Sequence, residues 1–140
     1  MLACFIILTV LLVFDRSPEA APKQEVIVVD RPTVVSFFPP VTDAELAKNP
    51  DLNETLFDFQ YYTRIARNRL EPMGIQFKEI YATSFALRVQ GKTKTIQAKK
   101  IQVGYYFLAP DKPPRIQSGV TTDNIIVAIA NEYFQLHVAP

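Results

Sequence analysis

The side chains of this chain that could carry out chemistry are few and far apart. Its 140 residues include one cysteine, Cys4, and one histidine, His137. Cys4 lies within the apolar run 1–14, so the sequence that follows offers no disulfide, no dithiol redox pair, no thiolate nucleophile and no cysteine-ligated metal. A single histidine supplies neither the ligand number nor the supporting partner of a zinc site. The sequence therefore predicts no metal site and no cofactor.

The densest group of cations falls between positions 88 and 100. It consists of Arg88, Lys92, Lys94, Lys99 and Lys100. Such a stretch could contact acidic lipid headgroups or an acidic partner. The alternation of lysine with threonine favours a simpler interpretation, a solvated hairpin with its tip near Gly91 whose lysines protect a sheet edge. The formal net charge is only +1, which argues against a dedicated nucleic-acid-binding protein.

The apolar run 1–14 predicts where the protein is located. At about 1.5 Å per residue it is shorter than the roughly 30 Å hydrocarbon core of a membrane, which favours a signal peptide over a spanning helix. No basic residue precedes the run and no clean cleavage site follows it, so an uncleaved membrane anchor stays an alternative. Residues 15–23 are polar and contain prolines, which indicates a linker. We expect an exported or membrane-anchored protein, periplasmic or extracytoplasmic in a bacterium, with one domain over residues 24–140.

The strand and helix patterns predict the order β-β-α-α-β-β-β-β-α for this domain. The nearly continuous apolar run 33–38 indicates a strand buried on both faces in the middle of a sheet. Pro39 and Pro40 end that strand, because neither can donate to a ladder. The run 101–110 alternates as a second long strand, and residues 111–114 are expected to form the turn after it.

Two helices are predicted between the second and third strands. Thr42 and Glu45 fit a capping box at the start of the first one. The second is expected to begin at Asp51 or Asn53 and to run to about Glu71, since apolar residues recur there at helical spacing. On its polar face, three arginines at positions 64, 67 and 69 are expected to point to solvent.

Together these passages resemble the thioredoxin-like fold superfamily. The run 33–38, followed by a loop and a helix, is similar to the central strand and active-site helix of that family. Residues 103–108, a turn, residues 115–120 and a helix opening at Thr122 are similar to its C-terminal hairpin and last helix. The resemblance covers most of residues 25–135. It implies an α/β protein with a three-layer α/β/α sandwich around a mixed central sheet.

The chain departs from this superfamily where the family carries out its chemistry. Thioredoxins place Cys-x-x-Cys after the central strand, and peroxiredoxins place Thr-x-x-Cys there. The comparable residues here are Thr42 and Glu45, so no redox nucleophile is present. Glutathione-dependent relatives use serine or tyrosine near this loop, so a cysteine-independent, transferase-like enzyme of the same fold stays an alternative.

The resemblance also implies where a binding site would lie. The working loop of the family corresponds to the residues after the central strand, beside the segment that opens the hairpin. We assign to it Phe38, Pro39, Pro40, Thr42, Gln102 and Val103. The simpler interpretation of the same loop is a strand end followed by a helix cap. We expect a redox-inactive thioredoxin-like domain that binds a protein partner in the cell envelope, attaches to the membrane through its N-terminal segment and binds no nucleic acid.

Overall fold

The computed structural model describes residues 24–97 and 103–139, which form two mixed sheets and three helices of the α/β class. The strands are β1 (Val26–Val29), β2 (Thr33–Phe38), β3 (Gln76–Tyr81), β4 (Ser84–Val89), β5 (Lys92–Gln97), β6 (Gly104–Ala109) and β7 (Lys112–Ser118). The helices are α1 (Asp43–Lys48), α2 (Pro50–Leu70) and α3 (Asp123–Phe134), and a 3₁₀ turn (Glu71–Met73) follows α2. The expected leader and linker, Lys99, Lys100 and Gln102 lie outside the described residues.

Strand β2 lies inside the larger sheet, whose order is β3-β2-β6-β7. It runs parallel to β3 and antiparallel to β6, and all six of its residues are buried. A strand whose apolar side chains point to both faces needs cover on both faces, which only an inner strand of a layered sheet receives. The prediction of a doubly buried central strand over 33–38 is therefore confirmed.

Different elements cover the two faces of this sheet. Val34 and Phe38 pack with α2 and α3 on one face, whereas Val35 and Phe37 pack with the smaller sheet, β1-β4-β5, on the other. The α/β class is confirmed. Within the described residues, however, a sheet stands where the expected α/β/α sandwich has its second helical layer. The reason is that β1 pairs in parallel with β4, and the polar segment 92–97 extends that pair as β5.

A tight turn at Gln90 and Gly91 joins β4 to β5. Both residues have positive φ angles, 50° and 76°, as the turn of a two-residue hairpin requires. Val89 pairs with Lys92 across the turn. The predicted hairpin with its tip near Gly91 is confirmed. Its second arm, β5, is a seventh strand that the predicted order omits, and it lies at the edge of the smaller sheet.

Strand β7 begins earlier than the sequence suggested. Residues 111–114 were expected to form a turn, but Ala109 pairs with Lys112, so only Pro110 and Asp111 connect the strands. Pro113 and Pro114 then lie inside β7. The register between β6 and β7 shifts by one residue at this point, so the two prolines lie in a bulge of an edge strand, where ladder hydrogen bonds are already interrupted.

Asn49 joins the two predicted helices. It closes α1, and its side chain accepts a hydrogen bond from the Leu52 amide at 3.1 Å to cap α2. Helix α2 thus starts at Pro50, earlier than the expected Asp51 or Asn53. Proline is tolerated at the first helical position because the amide N–H that it lacks would have no hydrogen-bond partner within the helix. Thr122, where the last helix was expected to open, is the N-cap residue of α3, but its side chain makes no capping hydrogen bond.

Candidate functional site

The larger sheet brings the predicted loop and the start of the C-terminal hairpin to the same end. Phe38 pairs with Tyr81 at the ends of β2 and β3, and Phe37 pairs with Gly104 at the start of β6. The Val103 carbonyl, one residue earlier, accepts a hydrogen bond from Gly119 at 2.9 Å. The pairing therefore places the predicted residues at one edge of the fold, although Gln102 lies outside the described residues.

The predicted site residues differ in how they are exposed at this edge. Phe38 is buried, 2% exposed, with its ring centroid 5.2 Å from that of Phe59. Val103 is half-buried against the same core. Pro39 is half-buried, whereas Pro40 and Thr42 are exposed. Phe38 and Val103 thus support the loop from beneath, and the proline pair and Thr42 form its surface.

An open groove of about 360 Å³ runs beside this loop. Apolar side chains dominate its walls, with one carboxylate and the polar ends of Gln60 and Tyr81. It is lined by Pro39, Pro40, Val41, Asp43, Leu46, Leu56, Gln60 and Tyr81. The side chain of Thr42 is not part of the lining. Helix α2 and the end of β3 contribute three of these eight residues, whereas the sequence suggested only the loop.

Exposed aromatic side chains of α2 extend the groove. Phe57 is 65% and Tyr61 is 42% exposed, and their rings stack nearly parallel with centroids 6.3 Å apart. The Arg64 guanidinium lies 5.9 Å from the Tyr61 ring centroid, a cation–π distance. Gln60 lines both the groove and the shallow depression beside Phe57 and Tyr61. We call the groove together with Phe57, Tyr61 and Arg64 the α2 surface.

One residue type in the sequence could have indicated the α2 surface: an aromatic residue on the polar side of α2. The apolar stripe of α2 includes Leu52, Leu56 and Phe59. Phe57 lies off this stripe, next to positions that face solvent. A large aromatic side chain on the polar side of an amphipathic helix buries no core area, so it points to a contact outside the fold.

The hydroxyl groups near the site already have structural partners. Thr63 and Tyr105 share a buried hydrogen bond of 2.8 Å, and burial raises the pKa of Tyr105 to about 12. Partial burial also raises the pKa of Tyr81, whose hydroxyl lies 3.5 Å from the Gln60 amide nitrogen. Both phenols therefore stay protonated at neutral pH and can donate hydrogen bonds.

Thr42 forms the predicted capping box at the start of α1. Its hydroxyl accepts from the Glu45 amide at 3.2 Å and donates to the Glu45 carboxylate at 2.9 Å. Its own amide donates to the same carboxylate at 2.7 Å. These bonds, the backbone one first, hold the pKa of Glu45 below its ordinary value of 4.5. The polar atoms of Thr42 are thus committed to the helix end.

Replacing Thr42 with alanine is expected to lower the free energy of unfolding by about 1 kcal/mol at neutral pH. Thr42→Ser keeps the hydroxyl and should restore most of the loss. Since folding depresses the pKa of Glu45, the contribution of its carboxylate is present at neutral pH and is lost as the pH falls below about 4.5. The difference between the wild type and Thr42→Ala should therefore shrink at pH 3. Urea unfolding at pH 7 and pH 3 measures both effects. An equal loss of unfolding free energy at the two pH values would refute the predicted contribution of the Glu45 carboxylate.

The arginines of α2 have different roles from those expected. Arg64 is exposed, as predicted, but Arg67 and Arg69 are half-buried and paired. Arg67 contacts Glu79 at 2.6 Å and Arg69 contacts Asp123 at 2.9 Å. The prediction that they face solvent is wrong, because these two ion pairs tie α2 to β3 and to α3.

The remaining candidates for chemistry do not form a site in the part of the chain that the structure describes. His137 is exposed near the C-terminus. Among residues 24–97 and 103–139, no three or more His, Cys, Asp or Glu side chains cluster as metal ligands would. Over the same ranges, no helix has the length and apolar character needed to cross a membrane. Comparison of the chain with protein-family models, with curated proteins and with solved structures gives no match.

Proposed function

We propose that this chain is a thioredoxin-like domain without redox cysteines that binds a protein partner in the cell envelope. The fold part of the proposal is supported by the path of the chain. Strand β2 leads into α1 and α2, and the chain returns parallel to it as β3. The antiparallel hairpin of β6 and β7 is followed by a last helix, α3, which packs on the same face as α2.

The α2 surface is the observation that carries the binding function. It lies beside the loop that corresponds to the working loop of the thioredoxin-like fold. It combines an open, mainly apolar groove with exposed, stacked Phe57 and Tyr61. Aromatic side chains of this kind contribute strongly to protein interfaces, because they bury a large area at a low cost in conformational entropy.

The polar atoms at the groove favour recognition over catalysis. Gln60 and Tyr81 can donate hydrogen bonds to the carbonyl groups of an extended segment, while the proline and leucine side chains accept its apolar groups. Thr42 is held in its helix cap, and the Tyr105 hydroxyl is bonded to Thr63 inside the core. The partner we infer presents an extended, largely apolar segment of its chain to this groove.

The N-terminal segment supports the envelope location within this proposal. The apolar run 1–14, followed by the linker 15–23, would export the domain or attach it to a membrane. A short tether raises the effective concentration of a domain toward partners in the same membrane. A groove of moderate affinity is then sufficient for function.

Purification of the full-length, tagged protein from its own membranes tests the proposal. We expect a protein partner in near-stoichiometric amount, released by competition with a peptide from that partner. A small molecule that co-purifies without any protein would instead favour a cysteine-independent enzyme of the same fold. A monodisperse protein with neither companion would contradict the binding function.

A further inference from the structure

Three of the four sheet edges in the described part of the chain carry side chains that discourage further pairing. Edge strand β7 contains two prolines, and edge strand β5 carries lysines at positions 92 and 94. Edge strand β3 has exposed Lys78 and Glu79 near its middle. Prolines and charges of this kind are the usual protection of a sheet edge. Edge strand β1, with the sequence Val-Ile-Val-Val, has no such residue.

Among the described residues, no strand pairs with the outer edge of β1, which therefore presents backbone hydrogen-bonding groups. The Ala86 amide donates to the Glu25 carbonyl at 2.9 Å, so the backbone polar groups of Glu25 and of alternate residues after it face β4. The N–H and C=O groups of Val26 and Val28 therefore face away from the smaller sheet. The side chains of these two valines are 43% and 50% exposed.

We propose that β1 pairs with β1 of a second copy of this chain in an antiparallel arrangement around a two-fold axis at Ile27. The sequence Val26-Ile27-Val28 is the same in both directions, so the axis places Val26 of each copy opposite Val28 of the other. Each of these pairs exchanges both of its N–H···O bonds, because the backbone groups of Val26 and Val28 face the free edge. The two smaller sheets then join into one continuous sheet.

The charges beside β1 fit a second copy. The groove next to this strand has a volume of about 370 Å³, and its charged lining residues are Glu25, Asp30, Arg31 and Lys78. The charges of these two acidic and two basic side chains cancel, and the whole chain carries a formal charge of only +1. A surface of balanced charge can approach its own copy without net repulsion. A strongly charged partner would gain nothing at this edge.

The strength expected of this dimer follows from its size. Each β1 has four residues, so the strand pair buries less than the roughly 1,200 Å² at which stable interfaces begin. Association should therefore depend on concentration. It should also respond to single substitutions in β1 that leave the fold of the protomer intact.

Site-directed cross-linking of the full chain in mild detergent tests the proposal. Cys4→Ser removes the only cysteine, and Val28→Cys then places a single thiol at the edge. Two such thiols would lie about 7–8 Å apart as diagonal neighbours, within reach of a short bis-maleimide. Thr95→Cys is the matched control, because it lies exposed on the same face of the smaller sheet but on β5. We expect a covalent dimer with Val28→Cys and monomer with Thr95→Cys.

Sedimentation of a second variant keeps the test independent of the thiol. Val28→Lys places a charge on the free edge at an exposed position and should weaken dimerisation at least about 10-fold, with an unchanged circular dichroism spectrum. Equal cross-linking at both cysteine positions, no cross-linking at Val28→Cys, or a dimer that Val28→Lys does not weaken would each overturn the proposal.

Discussion

Replacing Phe59 with alanine is expected to lower the free energy of unfolding by about 3–5 kcal/mol. The Phe59 side chain is 0% exposed. Its ring lies between those of Phe38 and Tyr105, with centroid distances of 5.2 and 5.3 Å. Alanine would leave a cavity where α2 packs on β2 and β6, and it would remove support from beneath the loop after β2. Urea unfolding followed by circular dichroism measures the loss.

Phe57 provides a matched control on the same helix. It is the same type of residue two positions away, but 65% of it is exposed. Phe57→Ala should change the free energy of unfolding by less than about 0.5 kcal/mol, as surface substitutions usually do. If both variants lost similar stability, the assignment of one face of α2 to the core and the other to a partner would be wrong.

Removing the exposed aromatic pair is expected to impair partner binding strongly. The double variant Phe57→Ala/Tyr61→Ala should raise the dissociation constant for the co-purified partner about 30-fold or more, since each hot-spot aromatic contributes about 2 kcal/mol or more. The rings stack on each other with centroids 6.3 Å apart, so they form one contact area and their effects should not simply add. Titration of the immobilised full-length protein with the partner measures the change.

Ile125→Ala is the control for this second prediction. Ile125 is 46% exposed but lies on α3, where the neighbouring Asp123 pairs with Arg69 at the opposite end of α2 from Phe57. Its replacement should leave the dissociation constant within about 2-fold, as for a residue outside the contact area. An equal loss of affinity for both variants would show that the groove is not where the partner binds.

Local sequence patterns predicted those parts of the fold that depend on local rules. The doubly buried strand 33–38, the capping box at Thr42 and the hairpin tip at Gly91 were each readable from adjacent residues. The alternation in β6 was readable too. Tyr105 and Phe107 pack toward the helices, while Tyr106 packs toward the smaller sheet, as expected from their spacing.

The smaller sheet could not be predicted in the same way. Its central pairing joins Val26 to Ala86 and Val29 to Val89. Nothing in either segment encodes the other as its partner, because a parallel pair has no connecting turn whose residues would reveal the register. The predicted order omitted β5 because most residues of this strand are polar and exposed, so they contribute almost nothing to the core.

The candidate site was predicted only on the side that the loop provides. Pro39, Pro40 and Thr42 follow the central strand directly, so their position at one end of the sheet follows from the sequence. The opposite wall comes from Leu56 and Gln60 of α2 and from Tyr81 of β3, which only the tertiary packing brings together. Phe38 was assigned to the binding site, but its ring packs against Phe59 in the core because helices cover that face of the sheet.

Photo-cross-linking at position 57 tests whether the partner binds at the α2 surface. A benzophenone side chain would replace Phe57 in the full-length protein, in its own cells, and a second variant would carry it in place of Ile125. Both native side chains are exposed, 65% and 46%, so both positions accept the probe without loss of the core. We expect an adduct with the co-purifying partner at position 57 and none at position 125. An adduct at position 125 alone, or no adduct at position 57, would contradict it.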